Sequence, residues 1–68
     1  MRVKVKNIIY NSDFVTLNAT AVNISIPTYH LFVVIGAESD EAAEMIFNRI
    51  LISGYCDVEK YQHIIQYV

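Results

Sequence analysis

The stretch ESDEAAEMIFNRILISG, residues 38–54, carries a start, a stop and an apolar face that agree on one helix. Ser39 and Asp40 both offer side-chain oxygens that can accept a hydrogen bond from a free amide of a first helical turn. Asp40, Glu41 and Glu44 then place negative charge where the helix dipole favours it. Ala42, Ala43, Ile46, Phe47, Ile50 and Leu51 recur at three- and four-residue spacing, so they share one broad face. Gly54 can take the left-handed conformation that ends such a run. The pattern predicts a helix over residues 40–53. Its opposite face carries Glu41, Glu44 and Asn48, but also Met45 and Ile52. Scattered apolar residues are ordinary on a surface, and the alternative is that these two touch a partner.

Upstream, residues 2–10 alternate as a half-buried strand does. Val3, Val5 and Ile9 share one side, and Arg2, Lys4, Lys6, Ile8 and Tyr10 the other, with Asn7 out of phase. Asn11-Ser12-Asp13 supplies turn chemistry. Phe14 to Ile26 reads as a second, long strand whose apolar parity switches midway: Val15, Leu17, Ala19 and Ala21 precede Val22, Ile24 and Ile26. A slip of one residue exchanges the two faces of a strand, so a bulge or a break is expected at Ala19 to Ala21. Pro27 lacks an amide donor and ends the run. Tyr29 to Ile35 is nearly all apolar, as a central strand would be.

Short connections make an antiparallel three-stranded meander the simplest arrangement, with the helix on one face. The last fourteen residues are ambiguous. Val58, Tyr61, Ile65 and Val68 fall at helical spacing behind a capping Asp57, whereas Tyr61, Ile64, Ile65, Tyr67 and Val68 have strand propensity. A fourth strand would run parallel to the third through a right-handed crossover. The spacing slightly favours a short helix. The expected fold is a single α+β domain over residues 1–68.

Sixty-eight residues lie near the lower limit for a self-sufficient core, yet 54% of them are hydrophobic. Association is the expected outlet for that excess. Net charge is only −2, but Arg2, Lys4 and Lys6 gather at one end, and Glu38, Asp40, Glu41 and Glu44 at the start of the helix. This layout argues against a general nucleic-acid binder, which carries a net basic surface. Cys56 is alone, so no disulfide within the chain is expected. The charged start lacks the apolar core of a secretory leader, and the apolar run Leu31 to Ala37 is too short to cross a bilayer. Cytoplasmic residence is the default expectation, and under it the sequons at Asn18 and Asn23 are coincidental.

No pattern of residues demands a reaction. The helix-start acids match no calcium-loop spacing and are explained by the dipole. Cys56, His30 and His63 lack the close spacing of a zinc site, and nothing in the sequence brings a nucleophile to a base. Neither catalytic, cofactor-binding nor metal-binding residues are therefore assigned, and Cys56 reads as a small buried thiol.

What remains is contact chemistry. Tyrosine suits interfaces because it joins a large apolar body to a polar tip, and five are present. Tyr55, Tyr61 and Tyr67 crowd the C-terminal end. The expectation is a non-enzymatic interaction, accessory or inhibitor protein, comparable to the compact inhibitors that mobile elements encode. It would form a homodimer with Met45, Ile52 and these tyrosines near its centre, and with the basic residues and helix acids around its rim. The alternative is a small module binding nucleic acid or another anion through Arg2, Lys4, Lys6 and Tyr10.

Overall fold

The computed structural model describes residues 1–68, and in it the expected helix, α1, runs Asp40–Ser53. Ser39 caps it, its hydroxyl accepting the Ala42 amide at 3.1 Å. Gly54 ends it at φ 67, donating its amide to the Ile50 carbonyl at 2.9 Å. Ala43 and Ile50 are buried, with Ile46 and Phe47 packed beside them. Leu51 departs from expectation and is 53% exposed. At about 100° per residue it lies roughly 90° from the centre of the Ala43–Ile50 stripe, on the flank of the helix.

The strand expected over residues 2–10 is a hairpin: β1 (Arg2–Val5) turns through Lys6-Asn7 into β2 (Ile8–Asn11). Both turn residues have positive φ, 49° and 69°, as a two-residue hairpin turn of type I′ requires. Asn7 breaks the alternation because the chain reverses there. The segment expected as the second strand divides in the same way, into antiparallel β3 (Phe14–Asn18) and β4 (Ala21–Ile26). The expected break is therefore a full reversal at Ala19-Thr20, with Ala19 at φ 51. Pro27–Tyr29 forms a single 3-10 turn, and β5 (Leu31–Gly36) follows as the expected central strand.

The C-terminal end corrects the preference for a helix. Tyr55–Asp57 is strand β6, Val58–Lys60 a 3-10 turn and His63–Tyr67 strand β7. Asp57 does cap, accepting the Glu59 amide at 3.2 Å, but it caps that short turn. Strand β7 pairs antiparallel with β5, so the parallel crossover expected for this segment is also corrected. The parallel partner reached after α1 is β6, which lies against β1. A lone meander thus gives way to two sheets, ordered β2-β1-β6 and β3-β4-β5-β7. The meander survives as β3-β4-β5. No helix is long and apolar enough to cross a membrane.

The core lies between the sheets and under α1. Val22, Ile24 and Ile26 on β4 stand opposite Ile35, Val33 and Leu31 on β5, and all six are buried. Helix α1 covers the β3 and β4 side of this inner face. Val3, Val5, Cys56 and Val58 complete the core from the smaller sheet and its 3-10 turn. Ser12 sits where the chain passes from one sheet to the other, and it is buried. Its hydroxyl donates to the Ser25 carbonyl and accepts the Phe14 amide at 3.2 Å, while its own amide donates to the Met1 carbonyl at 2.9 Å. Both sheets are anchored through this one residue.

Candidate functional site

The basic stripe expected on the first strand is divided by the hairpin. Arg2 and Lys4 remain together on the outer face of the smaller sheet. Lys6 lies in the turn, and Tyr10 is brought opposite Val3 on the core side. Tyr10 packs against the core and meets Tyr29 edge to face at 5.0 Å. The Arg2 guanidinium lies 5.6 Å over the Tyr55 ring, and Lys4 stands in register with Asp57. A carboxylate beside Lys4 lowers the positive potential there, so an anion finds no row of free cations.

The other residues singled out for contact are dispersed. Met45 and Ile52 are both exposed on the outward stripe of α1, Ile52 to 88%. Tyr61 is half-buried against the core, whereas Tyr67 is exposed at the far end of β7. These side chains do not form one patch.

The groups capable of chemistry have structural surroundings. Cys56 is buried, and its thiol is pushed up to about 11, first by burial and then by the Asp57 charge. A thiol in that state is a poor nucleophile near neutral pH. His63 holds Nδ1 2.8 Å from the Tyr61 carbonyl, and its Nε2 lies 4.0 Å from Glu59. His30 is exposed in a left-handed turn position at φ 53. No three His, Cys, Asp or Glu side chains are grouped closely enough to hold a metal ion. An open hollow of about 300 Å³ lies beside Val34, Gly36, Ala37, Gln62, His63 and Ile64. Among those residues only the His63 imidazole is titratable.

The strongest surface feature escaped the sequence reading. None of the five basic and seven acidic residues lies in β3, β4, β5 or β7, so the four-stranded sheet carries no charged side chain. Its inner face is core. Its outer face is uncovered by any element of the chain, and its register is direct: Phe14, Ser25, Phe32 and Gln66 form one row across the strands, and Thr16, Asn23, Val34 and Ile64 the next. Phe14 and Ile64 are 60% and 62% exposed, and Phe32 and Val34 are half-buried between neighbours. Water-facing sheet surfaces and free edges are ordinarily protected by charge, lysine above all. Here neither the face nor the edge strands β3 and β7 have any. The signal was present in the sequence as two runs without Lys, Arg, Asp or Glu, residues 14–37 and 61–68. Periodicity alone could not place them on one surface, because that requires the pairing of β7 with β5.

The total accessible surface, 4548 Å², is close to the roughly 4,400 Å² expected of a compact chain of this mass. The surface is therefore ordinary in extent, and its composition is what departs from the norm. No family model, curated protein or solved structure matches the chain.

Proposed function

We propose that this chain is a non-enzymatic protein–protein interaction domain that works as a homodimer. One observation carries the reading: eleven large hydrophobic residues are exposed in a chain in which only thirteen residues of any kind are buried. Single exposed apolar residues are normal, but here Phe14 and Ile64, with the half-buried Phe32 and Val34, share a sheet surface that has no charge to keep it solvated. Burying such surface supplies free energy without directional chemistry, at about 25 cal/mol per Å² of apolar area. The chemistry-bearing side chains support the same reading, since Cys56 is enclosed and His63 is held by backbone. An accessory or inhibitory role fits a domain whose working parts are contact surfaces.

Sedimentation equilibrium at low and high salt tests the proposal. The expected result is a dimer that persists as salt is raised, because apolar burial dominates and charge mainly steers encounter. A single species of monomer mass at high micromolar concentration overturns it.

A further inference from the structure

We infer that the outer face of the β3-β4-β5-β7 sheet is the two-fold interface between two copies of this chain, packed sheet against sheet. The inference rests on the dimeric reading above and locates it. Three observations choose a second copy as the occupant.

The first is the absence of charge. In a two-fold contact a surface meets itself, so a charged side chain near the axis faces its own like charge at short range. A face built to meet an unlike partner gains by carrying charge that the partner complements. This sheet has none, although twelve charged residues (five basic, seven acidic) are distributed over the rest of the chain.

The second is the chemistry of the polar residues that the face does carry. Thr16, Asn23, Ser25 and Gln66 each have both donor and acceptor atoms. Each can therefore donate to or accept from whichever of these groups the two-fold sets against it, its own mate included if it lies at the axis, a versatility that lysine, arginine and an ionised carboxylate lack. Phe32, Val34 and Ile64 supply the apolar centre between them, Val34 and Ile64 being direct cross-strand neighbours.

The third is area. Four strands about 4.8 Å apart, with five or six residues each at about 3.3 Å, give a plan area of roughly 350 Å². Side-chain relief raises this, so two copies bury on the order of 1,000 Å² together, the lower bound for a specific interface. Two such faces pack about 10 Å apart with their strands roughly 30° from parallel.

The apolar stripe on α1 is a weaker candidate for the same role. Glu41 and Glu44 flank Met45 there, and a two-fold contact through it would bring those carboxylates toward their own copies. In the sheet-to-sheet dimer α1 lies on the far side, so Met45 and Ile52 stay free.

Sedimentation equilibrium on the wild-type chain and on Ile64→Lys, Thr16→Lys and Ile52→Lys tests the assignment, with circular dichroism to confirm folding. Ile64 and Thr16 are exposed outer-face positions, so neither lysine disturbs the core. The expected result is a dissociation constant raised about 100-fold by each sheet substitution, as for like charges brought together, and changed less than about threefold by Ile52→Lys. Dimers that persist in both sheet variants overturn the assignment, while the homodimeric reading stands. A wild-type chain that is monomeric at high micromolar concentration overturns both.

Discussion

Removing the Ser12 hydroxyl measures how strongly the two sheets are held together. In Ser12→Ala the Ser25 carbonyl loses its donor and the Phe14 amide loses its acceptor. Each bond contributes about 1 kcal/mol net, and leaving two partly buried groups without partners adds to that, for a total of about 2–3 kcal/mol. A chain of 68 residues has about 3–10 kcal/mol of stability altogether, so the loss is a large fraction. The expected fall in Tm is about 10–20 °C, from 4–8 °C per kcal/mol in domains of this size. Urea denaturation at fixed protein concentration is the appropriate assay, because a self-associating chain has a concentration-dependent midpoint. Ser53→Ala is the comparison: its hydroxyl bonds only Ile50 and Tyr55, within its own turn, at an exposed position. A Ser12→Ala loss below about 0.5 kcal/mol, or no greater than that of Ser53→Ala, refutes the anchoring role.

Three further outcomes follow from local geometry. Cys56 has a folded-state value of about 11 against 9.0, so folding favours the protonated thiol. The associated stability is complete below about pH 9 and declines as pH rises toward 11, by about 2–3 kcal/mol, measurable as a falling denaturation midpoint. Native Cys56 should also react slowly with a thiol reagent at pH 7, and rapid labelling without unfolding contradicts this. Ala19 holds a positive φ of 51°, which costs a side-chain-bearing residue about 1–2 kcal/mol. Ala19→Gly relieves that strain but loses some chain entropy, so a net gain of about 0.5–1 kcal/mol is expected, with a rise of several degrees in Tm. A lower Tm counts against strain at this turn.

Local signals in the sequence were sufficient where structure is local. Helix α1 was legible because Ser39, Gly54 and the Ala43–Ile46–Phe47–Ile50 stripe agree, and its bounds match. The parity switch between Leu17 and Val22 marked a reversal correctly as a break, though not as a turn. Lys6-Asn7 was harder, since the turn lacks the glycine that commonly announces such a hairpin. The C-terminal residues misled because Val58, Tyr61 and Ile65 imitate helical spacing while belonging to a turn and a strand. What fixes them is pairing with β1 and β5, which no local window contains. The basic stripe failed for a related reason. Once the chain reverses at Lys6-Asn7, Tyr10 stands beside Val3 and the parity count no longer applies. The uncharged sheet face was visible as composition and became a surface only through register.

The placement of β6 and β7 bears on how the chain is made. Successive in sequence, they complete different sheets: Tyr55–Asp57 lies beside β1 and His63–Tyr67 beside β5. The β1-β2, β3-β4 and β4-β5 pairings are all local and can form while synthesis continues, on the microsecond scale of hairpins. Neither sheet is complete until residues 55–67 have left the ribosomal tunnel, and β5 until then presents an apolar, uncharged edge. During that interval the nascent chain is at its most adhesive, and neighbouring chains on one polysome offer each other the same unpaired strand. Final folding in this sense waits on residues 55–67, however early the hairpins upstream have paired.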